Sequence, residues 1–132
     1  MIVRAPATSA NIGAGFDTAA VALDLWNELE VSDGSGVIVE GEGSSELSRD
    51  TDNLAVRAYA LLADPTGKQF RFRNAIPLER GLGSSAAAIA LGLVAAAPHA
   101  SPEELLAAAL TLEPHADNLG AALLGGLTLA WD

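Results

Sequence analysis

The feature that most constrains this sequence is an apolar run without a polar face. Residues 86–97 contain only alanine, isoleucine, leucine, valine and one glycine. A helix of this composition has no side that favours water, so we expect it to be buried on all sides. Pro98 directly after the run predicts where the helix ends. The rest of the 132 residues must therefore supply a shell around this helix, and that length suits one domain.

The segments that alternate apolar and polar residues predict strands for this shell. Residues 21–31 and 69–76 both alternate in the way that a half-buried strand does. Residues 33–36 have the composition of a turn and lead into a short apolar segment, residues 37–39, so we expect a hairpin there. Residues 127–131 predict a final strand.

Helices are predicted between these strands. Asn53 opens a helix whose apolar positions are Leu54, Ala58, Leu61 and Leu62. Residues 64–67 should stop that helix. Residues 101–104 form a capping box with proline at the first helical position, so a second helix should run to residue 112. The pattern favours an α+β fold with helices on one face of a mixed sheet, as a single domain over residues 1–132.

Charge and cysteine content exclude several functions. The chain has 17 acidic and 7 basic residues, a formal net charge of −10 and a pI near 4.4, which disfavours binding to nucleic acids and to anionic membranes. The absence of cysteine excludes disulfides and thiolate metal sites. The first residues lack a signal-peptide pattern, and no apolar run approaches the roughly 20 residues of a membrane span, so we expect a cytoplasmic protein.

A loop of glycine and serine, residues 80–85, leads directly into the apolar helix. Glycines let the backbone approach a ligand closely, and the free N–H groups at the start of a helix attract anions. The loop therefore predicts a phosphate site, although it lacks the ending of a Walker loop. The same composition is also typical of a turn that merely starts a helix.

Residues 81–132 contain no lysine or arginine, so a polyphosphate bound there would need a metal ion. Magnesium is the natural candidate because it prefers hard oxygen ligands. Ser84 or Ser85 offers a hydroxyl, and Glu113 or Asp117 offers a carboxylate.

Two further polar stretches have the residue types of a substrate site. Residues 6–17 predict a loop in which Asn11 and Asp17 can hydrogen-bond a small polar substrate, and an ordinary Asx turn is the alternative. Residues 112–120 are dense in polar groups. There, His115 suits an ordinary surface or core position, and Asp117 or Asn118 suits a cap for a helix that continues to residue 124.

Together the polar stretches resemble the signatures of the GHMP kinase superfamily, and most closely its homoserine kinase branch. Residues 6–17 are similar to the N-terminal signature, residues 77–88 to the phosphate loop, and residues 113–118 with residues 121–126 to the third motif. The resemblance implies the N-terminal GHMP kinase domain, which has a ribosomal protein S5 domain 2-like fold.

The resemblance also implies substrates, cofactors and residue roles. The substrates would be ATP and L-homoserine, and the cofactor Mg²⁺. The nucleotide would be bound by Asn53, Pro77, Arg80, Gly81, Leu82, Gly83, Ser84, Ser85 and Ala86, and magnesium by Ser85 and Glu113. L-homoserine would lie near Asn11, Asp17, His115 and Asn118, and the candidate catalytic residues are Asn118, Asp117 and Asp17.

Three departures from the family pattern qualify this resemblance. Pro114 and Ala116 replace the common glycine and proline of the third motif, and Ala14 replaces a common proline. The sequence ends at Asp132, before the C-terminal domain whose arginines would grip the homoserine carboxylate. We therefore expect an N-terminal half that is inactive alone and forms a homodimer through uncovered apolar surface. The alternatives are another small-alcohol kinase of the superfamily and a non-catalytic binding module.

Overall fold

The computed structural model describes residues 1–10, 19–114, 116–124 and 127–129. Its strands are β1 (Ile2–Ala10), β2 (Ala19–Asp33), β3 (Val37–Gly41), β4 (Lys68–Asn74) and β5 (Leu127–Leu129). Its helices are α1 (Leu54–Ala60), α2 (Ser84–Ala96), α3 (Pro102–Ala109) and α4 (Ala116–Leu124). Within these residues, no helix has the length and apolar character needed to cross a bilayer.

The five strands form one mixed sheet in the order β1-β2-β4-β3, with β5 also paired to β2. β2 is the long central strand. It pairs with β1 along one edge and with β5 and then β4 along the other edge, always antiparallel. β3 pairs parallel to β4. The α+β fold with a mixed sheet is confirmed.

One face of the sheet carries the core and the other carries charges. Leu29, Phe70 and Phe72 are buried beneath the helices, and the edge of the Phe70 ring packs on Tyr59 of α1 with 5.1 Å between ring centroids. Buried positions surround α2 on all sides, as its composition predicts. The helices therefore lie over one face, and α2 is the element around which they pack.

The predicted hairpin between β2 and β3 is wrong, because β4 lies between them. The charged face gives a physical reason. Arg73 of β4 makes ion pairs with Glu28 and Glu30 of β2 at 3.7 and 3.3 Å and with Glu40 of β3 at 3.9 Å. A direct β2–β3 pair would place these acids beside each other, which destabilises a sheet. The arginine-bearing strand separates the two acidic strands.

Three other boundaries differ from the sequence prediction. Residues 6–10 belong to β1 rather than to a loop, and α3 ends at Ala109 with only turns up to residue 112. α1 ends at Ala60, so Leu61 and Leu62 lie beyond it and are exposed. Their spacing fits a helical face, but the helix ends one residue too early for them to reach the core.

Candidate functional site

The N-terminus of α2 opens toward a cavity with its first backbone N–H groups uncapped by any side chain. The N-cap residue Gly83 has a left-handed backbone, with φ of 73°, and the first turn of α2 contains no acidic residue. The earliest of the helical hydrogen bonds runs from the Ala87 N–H to the Gly83 carbonyl. The N–H groups of Ser84, Ser85 and Ala86 and the positive end of the helix dipole therefore face outward, an arrangement that binds anions.

The cavity at this helix end measures about 620 Å³. It joins segments that are far apart in the sequence: the loop before α2, the end of the α3–α4 connection, and the start of α4. The lining residues are Glu46, Leu47, Leu78, Glu79, Arg80, Gly81, Leu82, Gly83, Ser84, Ser85, Ala86, Glu113 and Asn118. A volume of this size lies in the usual range for small-molecule sites.

The structure brings many of the predicted nucleotide residues together. All seven residues from Arg80 to Ala86 line the cavity, together with the predicted magnesium ligand Glu113 and the predicted substrate residue Asn118. Pro77 lines an adjoining opening that shares Leu78 and Arg80 with it. The predicted phosphate loop and third motif therefore meet at one site.

Asn53 lies in a second, mostly apolar pocket of about 80 Å³ that shares Ser84 and Ser85 with the cavity. Its side chain is buried and caps α1: Oδ1 accepts from the N–H groups of Ala55 and Val56, and Nδ2 donates to the Ser48 carbonyl at 2.9 Å. Asn53, which the resemblance assigns to nucleotide binding, therefore also has a structural role in α1.

The structure does not describe the side chains of the remaining predicted residues. Asn11, Asp17 and His115 lie outside the described residues. Asp117 belongs to α4, but its side chain lies outside the described part of the structure as well.

The charges around the cavity are mainly negative. Glu46, Glu79 and Glu113 line it, against the single cation Arg80 among its described residues. Glu79 has a left-handed backbone with φ of 56°, which is uncommon for a residue with a side chain and places local strain beside the loop. A bound polyphosphate would therefore need a cation in addition to the loop amides.

The donor set fits magnesium bound together with phosphates. Ser85 and Glu113 line the same cavity and offer a hydroxyl and a carboxylate. No group of three acidic, histidine or cysteine side chains that could hold a metal occurs within the described ranges. Magnesium commonly takes only one or two protein carboxylates and completes its shell with phosphates and water.

Two groups with a shifted pKa lie far from the cavity. The hydrogen bond and charge of Asp33 raise the pKa of Lys68, and the N–H of Thr66 lowers the pKa of the Asp64 carboxyl. Lys68 starts β4, while the cavity lies beyond the opposite end of that strand, roughly 20 Å away at the usual rise per residue. These shifts therefore do not act on the site.

Sequence reasoning missed Thr8, which is fully buried in β1 and donates to Asn118 Oδ1 at 2.7 Å. The two residues are 110 positions apart, and no local pattern marks their contact. It also missed Glu46 and Leu47, which lie between β3 and α1 and line the cavity.

Comparisons with known proteins agree with this geometry. The family pattern described as GHMP kinases N terminal domain matches residues 53–126. A homoserine kinase from Wolinella succinogenes is 42% identical over 142 residues, which cover 98% of this chain and 48% of that kinase. The chain thus spans about half the length of the curated relatives it matches.

Solved structures of similar proteins also match this chain over about half of their own length. A Listeria monocytogenes protein provisionally assigned as a homoserine kinase matches with a TM-score of 0.87 and 31% identity, over 99% of this chain and 50% of that one. The mevalonate kinase of Methanococcus jannaschii matches with a TM-score of 0.76 over 96% of this chain and 52% of its own, at 16% identity, which shows a common fold.

Proposed function

This chain belongs to the GHMP kinases, and from that premise we propose that it is the ATP-binding half of a homoserine kinase. The reaction would transfer the γ-phosphoryl group of ATP to the hydroxyl of L-homoserine. The observation that carries the proposal is the uncapped start of α2, which opens into a cavity shared with Glu113 and Asn118. Identities of 41–45% to homoserine kinases favour that alcohol over the others in the family.

The loop amides and the α2 dipole hold the triphosphate in this proposal. Phosphoryl transfer depends mainly on alignment and on stabilising charge, so backbone donors are suited to it. Their positions are fixed by the helix and do not reorganise during the reaction. Arg80, which is exposed at the mouth of the cavity, adds the one positive side chain among the described lining residues.

Ser85 and Glu113 are the residues that would hold magnesium. A bound Mg²⁺ neutralises phosphate charge and so supplies part of the transition-state stabilisation. The positive charge of the ion would reduce the repulsion between the phosphates and the acidic residues that line the cavity. Homoserine would be held by Asn11, Asp17 and His115, and Asn118 would lie near the reacting hydroxyl.

No strong base is required by this scheme. The transition state of phosphoryl transfer is loose, and the attacking hydroxyl loses its proton late. Asp17 and Asp117 stay candidates for accepting that proton, and Asn118 for orienting the hydroxyl.

The test is Mg²⁺-dependent ATP binding by the 132-residue chain, measured by calorimetry, followed by product detection with L-homoserine. We expect binding that EDTA abolishes, and a loss of at least about tenfold in Ser85→Ala and Glu113→Gln, equivalent to the loss of one charged contact. The control is Ser48→Ala. In the wild-type chain the Ser48 hydroxyl donates to Asp52 and accepts from the Asp50 N–H, outside the cavity. Absence of nucleotide binding would contradict the proposal and favour a non-catalytic module.

We further propose that these 132 residues alone turn over little or no homoserine, because the resemblance places part of the homoserine-binding site in the other half.

Self-association of the chain is proposed from six large exposed apolar side chains: Met1, Ile2, Leu61, Leu62, Leu110 and Leu124. Sedimentation that shows only monomer at every concentration would contradict it. Because turnover is not expected, thermal-shift measurements with homoserine, mevalonate and sugar alcohols would identify the acceptor by binding.

A further inference from the structure

Thr8 is a fully buried residue beside the site, and none of the roles assigned above uses its hydroxyl. It lies in β1 with no exposed surface. Buried polar groups in proteins are hydrogen-bonded, and an unpaired one is costly. The Thr8 hydroxyl donates to Asn118 Oδ1 at 2.7 Å, and its backbone N–H donates to the Leu82 carbonyl at 2.9 Å. One residue therefore contacts both α4 and the loop before α2.

An irregularity in the pairing of β1 with β2 lies beside Thr8. The register shifts between Pro6 and Ala7, where Asp24 and Leu25 of β2 have no partner in β1, and the pairing then continues from Ala7 to Ala10. β1 is the edge strand, so alternate N–H groups point away from β2. The Thr8 N–H donates to the Leu82 carbonyl on that side.

The loop is fitted closely to the same hydroxyl. A Cβ added to Gly83 would overlap Thr8 Oγ1. The left-handed backbone of Gly83 and the absence of a side chain there allow the hydroxyl to lie between the loop and α4. The Thr8 hydroxyl thus fixes the spacing between the phosphate-binding loop and Asn118.

The bond also holds the Asn118 amide in place at the cavity. An asparagine amide has an acceptor, Oδ1, and a donor, Nδ2. In the structure Oδ1 faces the buried Thr8 hydroxyl, and Asn118 lines the cavity. Loss of the hydroxyl would remove this hydrogen bond to the amide.

We propose that Thr8 is a positioning residue, which orients the Asn118 amide relative to the phosphate loop. The inference rests on the proposed function in one respect, that Asn118 contacts the bound substrate. The position of the Asn118 amide is inferred from the hydrogen bonds of Thr8 alone and can be tested without nucleotide.

The first experiment measures the Asn118 side-chain amide by ¹H–¹⁵N NMR in the nucleotide-free chain, with the resonance assigned by its loss in Asn118→Asp. Thr8→Val removes the hydroxyl at nearly constant volume, so we expect the Asn118 resonances to move and to exchange faster with solvent. Thr8→Ser keeps the hydroxyl and should restore the wild-type positions. Thr111→Val, which removes a hydroxyl bonded to Ala108 O, is the matched control.

Unchanged Asn118 resonances in a folded Thr8→Val chain would overturn the inference, and so would a failure of Thr8→Ser to restore them. If Thr8→Val does not fold, Thr8→Cys replaces the hydroxyl by a much weaker donor, and we expect the Asn118 resonances to move in the same direction by a smaller amount.

The second experiment measures MgATP affinity. The Thr8 hydroxyl lies against Gly83 of the phosphate loop, so its loss should disturb the loop. We expect Thr8→Val to weaken MgATP binding roughly tenfold and Thr8→Ser by less than about threefold. If the wild-type chain binds no nucleotide, the proposed function fails while the NMR result still decides the role of Thr8. If the wild-type chain binds and Thr8→Val binds equally well, the positioning role is overturned.

Discussion

The N-termini of α1 and α3 are closed by side chains, whereas the N-terminus of α2 is left open. Asn53 accepts hydrogen bonds from two N–H groups of α1, and Ser101 accepts one from Glu104 of α3, whose first turn also carries two acids. α2 begins at a glycine and has no acid in its first turn. Side chains satisfy the first N–H groups of α1 and α3, whereas no side chain caps the first N–H groups of α2 at the cavity.

The largest effect should come from closing the α2 end with a side chain. Gly83→Ala introduces left-handed strain worth about 1–2 kcal/mol and an overlap with Thr8 that adds roughly 1–3 kcal/mol. We expect a lower free energy of unfolding in urea and no measurable MgATP binding. Gly67→Ala is the control, since it has a φ of 75° and open space around it, and it should lose only the strain energy and keep its binding. Equal behaviour of the two variants would contradict the proposed fit between loop and β1.

Giving α2 the acidic first turn that α3 has should separate stability from binding. Ser84→Asp adds a carboxylate next to the positive helix end, which should raise the free energy of unfolding by about 0.3–1 kcal/mol relative to the neutral Ser84→Asn. The same charge repels phosphate, so MgATP affinity should fall at least about tenfold against Ser84→Asn. Calorimetry and urea unfolding of the pair give both values. Unchanged affinity in Ser84→Asp would show that the helix end does not hold the phosphates.

Removing the α1 cap should mainly affect stability. Asn53→Ala leaves the N–H groups of Ala55 and Val56 without their acceptor in a buried place, at a cost of about 1–2 kcal/mol. Asn53→Asp keeps the acceptor and should recover most of that loss in thermal or urea unfolding. If Asn53→Asp loses more MgATP affinity than stability, the Nδ2 group contributes directly to nucleotide binding.

The smallest effect is expected at α3, which is remote from the cavity. Ser101→Ala removes one cap bond and should cost about 1 kcal/mol of stability, while MgATP affinity stays within about twofold. Ser101→Thr, which keeps a hydroxyl, is the conservative control. If Ser101→Ala changed MgATP affinity without changing stability, the capped end of α3 would also act on binding, which would contradict the contrast between capped and uncapped helix ends.

Local chemistry explains which parts of the fold the sequence predicted. The Ser101 cap, the alternation around Phe70 and Phe72, and the apolar composition of α2 each depend on neighbours a few residues away, and each prediction is confirmed. The strands β2 and β5 are likewise predicted from local patterns of apolar and polar residues.

Predictions failed where distant segments decide the outcome. The hairpin of β2 and β3 fails because Arg73 of β4, more than 30 residues away, pairs with acids on both. Small and polar residues predict a loop over residues 6–17, whereas residues 6–10 form part of β1 because they pair with β2. At the site, the loop and Asn118 were predicted from motifs, whereas the bond between Thr8 and Asn118 has no sequence signal.

The bond between Thr8 and Asn118 has a consequence for biosynthesis. A ribosome synthesises the first strand and the phosphate loop before the helix that carries Asn118, so the two sides of the pocket cannot meet until that helix has been made. Contacts this distant in sequence form late and slowly. Nucleotide should therefore not assist folding of the emerging polypeptide until α4 has left the exit tunnel.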